Sequence, residues 1–148
     1  MMKKIFVFML AALMLLAFSG GSQAADPSIV GVWSLPILKG KDKGKERSQV
    51  EISEKDGVYS GRIVKLTTVP ANTLCTKCKK DRKDKPLMGM LIIWNLKKEA
   101  GRYVEGKIYE VEEGTEYKCS LAQISPDKLK VTACLFFLCE SHYWTRVK

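Results

Sequence analysis

Cys75 and Cys78 stand two residues apart within Cys-Thr-Lys-Cys-Lys-Lys-Asp-Arg-Lys-Asp-Lys-Pro, residues 75 to 86. Thiols at this spacing support three kinds of chemistry. Six basic residues lie in the same stretch, and nearby cations favour the thiolate that attacks a substrate disulfide. A redox pair of this kind usually sits at a helix N-terminus after a strand, and no such unit is readable here. The same pair supplies half of a four-ligand zinc site, which Cys119, Cys134, Cys139 and the single histidine, His142, are available to complete. No second pair at this spacing exists to strengthen that reading, and no metal is assigned. The third reading is a structural disulfide that stiffens a long loop. It is the one adopted, with redox and metal handling kept as alternatives.

Cys134 and Cys139 flank Leu135-Phe136-Phe137-Leu138. If these four residues turn a hairpin, the cysteines face each other across the ladder, where Cα atoms of a non-hydrogen-bonded pair approach to about 4.5 Å, within disulfide range. Pairing 75 with 78 and 134 with 139 leaves Cys119 as a buried free thiol, on an apolar strand face with Tyr117 and Leu121. Crossed pairings such as Cys78 with Cys139 stay open.

The remaining polar residues form no catalytic set. Ser141 adjoins His142 in a strand, so the two side chains point to opposite faces and make a poor nucleophile and base. Glu112 and Glu113 fall in a turn and read as solvated. No phosphate-binding or dinucleotide-binding glycine motif occurs. The expectation is therefore a protein without catalysis and without a cofactor.

The elements that hold these residues begin with a leader. Lys3 and Lys4, the apolar run Ile5 to Phe18, and Ser22-Gln23-Ala24 before Ala25 together read as a cleavable signal peptide over residues 1–24. The apolar run is shorter than the roughly 20 residues that span a bilayer, and the mature chain, 25–148, holds no other run of membrane length. A periplasmic single domain is expected, in an oxidising compartment where disulfides are the default. Removing Lys3 and Lys4 from 25 basic residues leaves 23 against 16 acidic ones, a formal charge of +7. Export argues against nucleic acid as partner. A polyanionic envelope component meeting residues 77–85 is one use for the charge, and a solvated surface is the plainer one.

The mature chain reads as strands and turns. A first strand spans Ile29 to Leu38, bent or ended near Pro36. After a charged turn, Val50 and Ile52 alternate with polar neighbours. Asp56-Gly57 marks a hairpin, and Val58 to Leu66 forms a third strand with a bulge or close packing at Gly61. Beyond the cysteine loop come Met88 to Leu96, Tyr103 to Val111, a strand around Tyr117 to Leu121, a strand from Leu129 to Leu135, and Ser141 to Val147. About eight strands on short turns, with no amphipathic helix, predict an all-β, antiparallel, up-and-down barrel.

Two sets of residues carry a resemblance. Gly31-Val32-Trp33 in the first strand and Arg146 in the last resemble the signature of lipocalin-type, calycin-like barrels. In that family the arginine packs across the tryptophan and closes one end, which implies the same for Trp33 and Arg146. Together with Cys75-Thr76-Lys77-Cys78, Asp81-Arg82-Lys83-Asp84-Lys85-Pro86-Leu87 and Trp144-Thr145-Arg146, the chain resembles a family of small exported bacterial proteins, domain of unknown function 2147. That resemblance implies an exported β domain and brings no established activity. A barrel of this size either fills its interior or holds one small ligand. The reading taken is a binder of a small apolar or amphipathic molecule, with Met90, Ile92, Trp94 and Tyr117 as candidate lining residues.

Overall fold

The computed structural model describes residues 28–148. The leader read over residues 1–24 lies outside the described residues. Eight strands follow one another: β1 (Gly31–Pro36), β2 (Glu46–Lys55), β3 (Val58–Leu66), β4 (Leu91–Glu99), β5 (Arg102–Glu110), β6 (Thr115–Ser125), β7 (Lys128–Leu135) and β8 (Leu138–Arg146). Each pairs antiparallel with the next, and β8 returns to β1, closing an up-and-down barrel. The closing seam is short, pairing Trp33 with Arg146 and Ser34 with Thr145.

Local chemistry explains the path. Asp56 and Gly57 take φ of 52° and 78°, and Ala100 and Gly101 take 46° and 76°. Positive φ at both central residues gives the two-residue turn whose twist matches its flanking strands. β1 ends at Pro36, where the register with β2 slips and Arg47 becomes the additional residue on β2. Register shifts also flank Gly61, where β3 meets β4. A Cβ on Gly61 would come within 3.0 Å of the Val50 side chain and 3.2 Å of that of Ile93, so the absent side chain is what lets these strands pack.

Several boundaries differ from the sequence reading: β1 is Gly31–Pro36 and not Ile29 to Leu38, and β4 runs on to Glu99 and not only to Leu96. β4 begins at Leu91, not Met88, because Gly89 at φ 78° belongs to a turn. β8 begins at Leu138, not Ser141, because the ladder continues through Cys134–Cys139 to Leu135–Leu138. The connection expected over four residues is a turn of two, Phe136 and Phe137.

The core runs along the barrel. Trp33, Val50, Ile52, Ile93 and Leu96 have no exposed surface, and Tyr103, Leu121 and Leu129 have almost none. Ladder partners share a face, so Trp33 with Val50, Val50 with Ile63, and Leu129 with Trp144 stack as buried rows. Removing such rows from water is the main force favouring the fold. Asn95 at φ 60° and Glu105 at φ 59° break the alternation of β4 and β5.

Candidate ligand-binding site

In an up-and-down barrel alternate connections share an end. Residues 56–57, 100–101 and 126–127 turn at the end that Trp33 and Arg146 close. Residues 37–45, 67–90, 111–114 and 136–137 connect strands at the other. At the closed end, the Arg146 guanidinium lies 4.3 Å from the centre of the Trp33 ring. Its three nitrogens donate to the carbonyls of Pro126, Val30 and Ser28 at 2.8–2.9 Å. Trp33 Nε1 donates to the Ile29 carbonyl at 2.8 Å. One arginine thus ties the first strand, the last strand and the β6–β7 turn.

The opposite end is roofed by residues 67–90. This segment is folded in its own right. Cys75 N donates to the Lys85 carbonyl at 2.8 Å, Asp84 N to Cys75 at 3.0 Å, and Leu87 N to Thr73 at 3.0 Å. A single bridge joins Leu74 and Pro86, and Lys80–Arg82 makes one 3₁₀ turn. The Cys75–Cys78 disulfide pins this hairpin-like unit at its base.

Arg82 docks the unit on the barrel. Its guanidinium lies 4.7 Å from the Trp94 ring centre and 4.6 Å from that of Tyr109. Its Nη1 also donates to the Leu91 carbonyl at 2.9 Å. A planar, weakly hydrated cation suits this place between two aromatic faces better than an ammonium. Lys79 N donates to the Tyr109 hydroxyl at 3.0 Å. Gly114 completes the fit, since a Cβ there would collide with the Lys77 carbonyl oxygen.

Beneath the roof lies a cavity of about 220 Å³. Ile63, Leu66, Val69, Leu74, Leu87, Ile92 and Val111 form its apolar wall, and its polar part includes Arg47, Ser48, Lys77, Tyr109, Glu112 and three threonines, Thr68, Thr73 and Thr76. Arg47 Nη1 lies 3.1 Å from Glu110 Oε1 and 3.5 Å from Glu112 Oε2. Its side chain is 17 % exposed and that of Glu110 23 %. An ion pair this sheltered keeps its direction better than a surface pair and gives the apolar chamber one oriented polar wall.

The four residues read as a lining separate here. Ile92 lines the cavity. Met90 is packed in the core just ahead of β4, Trp94 carries Arg82, and neither is among the lining residues. Tyr117 lies outside the lining as well, and its hydroxyl donates to the Glu113 carboxylate. That bond, then burial, then the charges of Glu113, Glu110 and Glu140, push its pKa up to about 12. Arg47, Tyr109 and the apolar side chains of the roof were missed. The sequence signal able to reveal the roof's docking is Arg82, the lone arginine among five lysines in the loop, and the sequence reading did not use it.

Both hairpin pairings of cysteines are present, Cys75–Cys78 and Cys134–Cys139, and Cys119 is a buried free thiol. Cys75 and Cys78 are 3 % and 2 % exposed, and Cys75 Sγ lies 3.5 Å from the Val111 carbonyl oxygen. The disulfide is thus largely covered, with Cys75 reaching the cavity wall. No cluster of three or more His, Cys, Asp or Glu able to hold a metal occurs among the described residues. The basic stretch 77–85 is less free than its composition suggests, because Arg82 is turned onto the barrel and Lys83 Nζ donates to the Thr76 carbonyl. Ser141 Oγ lies 2.9 Å from Thr132 Oγ1, while His142 Nε2 lies 3.7 Å from Glu140. Serine and histidine therefore point to separate partners. Among the described residues no helix is long and apolar enough to cross a membrane.

The barrel is similar to a solved structure of the protein HP1028 from the human pathogen Helicobacter pylori, which is described as belonging to the lipocalin family. The TM-score is 0.69 at 19 % identity, over 82 % of this chain and 84 % of that one. The likeness is one of fold. No curated protein matches the chain. The family model described as "Uncharacterized protein conserved in bacteria (DUF2147)" matches residues 31–146, nearly the whole barrel from the strand that carries Trp33 to Arg146 itself, and the chain belongs to that family.

Proposed function

We propose that the protein is a non-catalytic binder of a small amphipathic molecule, working in the periplasm after removal of its leader. The observation that carries this reading is the cavity of about 220 Å³ at the roofed end of a lipocalin-like barrel, where an apolar wall meets polar side chains that include Arg47, Ser48, Lys77, Tyr109 and Glu112. Ligand sites are typically apolar chambers with a few placed polar groups, about 300–1,000 Å³ for drug-sized molecules. A smaller chamber suits a single ring or a short chain. The Arg47–Glu110 pair orients one polar group of such a ligand, while Ile63, Leu66 and Ile92 take its apolar body. The lipocalin-like fold supports the reading, and the leader sequence supports the compartment.

Native mass spectrometry of protein isolated from the periplasm, repeated after denaturation, tests it. A small adduct that denaturation releases, and that Ile92→Trp abolishes while the barrel still melts cooperatively, is the expected result. A bare mass for the folded wild type, together with no shift in melting temperature across a panel of short-chain amphiphiles, would overturn it.

A further inference from the structure

The two most exposed large apolar side chains among the described residues are neighbours. Phe136 and Phe137 are 87 % and 88 % exposed, between Leu135 at 41 % and Leu138 at 68 %. They form the two-residue turn between β7 and β8, and the Cys134–Cys139 disulfide ties the strands just below them. A long loop would let the rings fold back onto the barrel. A tight turn on a cross-linked ladder holds them in water, and contiguous exposed apolar surface of this kind marks an interaction site.

Charge indicates what they meet. The turn stands at the roofed end with the connections 37–45, 67–90 and 111–114. Those connections carry four lysines from Lys39 to Lys45, and five lysines with Arg82 from Lys77 to Lys85, against five carboxylates, a net charge of +5. The turns at the closed end are only two residues long, and the cations there, Lys55, Arg102 and Lys128, stand singly beside Asp56, Glu99 and Asp127. Arg82 is engaged with Trp94 and Tyr109, but Lys77, Lys79, Lys80 and Lys85 are exposed. An aromatic wedge at the same end as these lysines suits a surface that offers acyl chains behind anionic headgroups.

We infer that Phe136 and Phe137 insert into the interfacial layer of an anionic bilayer while the lysines of the same end contact its headgroups. The barrel then rests with its roofed end on the membrane. This docking does not depend on what the cavity holds.

The test is flotation of the folded protein with phosphatidylethanolamine–phosphatidylglycerol vesicles and with phosphatidylcholine vesicles, at low and high salt. The wild type is expected to float with the anionic vesicles and less so in salt. Phe136→Ser with Phe137→Ser is expected to bind about tenfold more weakly, since the apolar area that partitions is lost. Both side chains are solvent-exposed, so an unchanged melting temperature certifies the variant's fold. A second probe, Phe137→Trp, is expected to show fluorescence quenched by brominated acyl chains beyond that of the wild type. Equal flotation with both vesicle types, undiminished binding by the double variant, or no added quenching would each overturn the inference. So would sedimentation showing that the tip pairs two copies of the chain while vesicles recover none.

Discussion

The guanidinium of Arg82, within the roof, lies 4.7 Å from the centre of the Trp94 ring on β4. Together with the bond from Lys79 N to the Tyr109 hydroxyl, this side chain fastens residues 75–86 to the barrel. Arg82→Lys keeps the charge and loses the planar contact with two rings. It is expected to cost about 0.5–2 kcal/mol and to raise amide exchange selectively in residues 75–90, as hydrogen exchange with mass spectrometry would read. Unchanged protection there would show that the disulfide and the backbone bonds hold the roof alone.

Trp33 supports the other end. It has no exposed surface and its Nε1 is bonded to Ile29. Trp33→Ala is expected to lower stability by about 3–5 kcal/mol, measured as the denaturant midpoint at constant slope. Arg146→Lys should lose about 1.5–3 kcal/mol, because an ammonium cannot span three carbonyls and the ring together.

Gly106 faces Leu96 closely enough that a Cβ would overlap the Leu96 Cγ and Cδ2. Leu96 is completely buried and has nowhere to swing. Gly106→Ala is therefore expected to destabilise by about 1–3 kcal/mol through overpacking. If the midpoint stays put, the β4–β5 contact is looser than this geometry requires.

Cys119 supplies a pH signature. Burial pushes its thiol pKa up to about 12 from an ordinary value of 9.0. The unfolded chain then loses this proton before the folded one does, so the stabilising contribution is complete below pH 9.0 and falls as the pH rises towards 12. Wild type should lose more stability between pH 9 and 11 than Cys119→Ala does. A thiol reagent at pH 8 should label Cys119 only after denaturation. Parallel pH profiles for the two proteins would refute the assignment.

Much of the barrel was legible because period-two alternation and turn residues are local signals. Val58 to Leu66 reads correctly from its flanking Asp-Gly turn and its own pattern, and Cys134 with Cys139 reads from hairpin spacing. The cavity was less legible because its walls meet only on folding. Arg47 reaches Glu110 across the barrel mouth, and the apolar side chains of residues 66–74 carry no strand periodicity. Trp94 looked like a lining residue because an apolar strand hides which aromatic will be covered by a distant loop. Asn95 and Glu105 adopt positive φ without the glycine that would announce it.

The short seam between β1 and β8 has a consequence for the life of the protein in a crowded compartment. Every other neighbouring pair of strands is joined covalently by its connection, whereas this one is held by two residue pairs, the bond from Val147 N to the Val32 carbonyl and the Arg146 contacts. Were the seam to part, the ring would become a ribbon with two unpaired borders, each a template for recruiting other chains. By holding the seam, Arg146 also keeps those two borders paired within the chain.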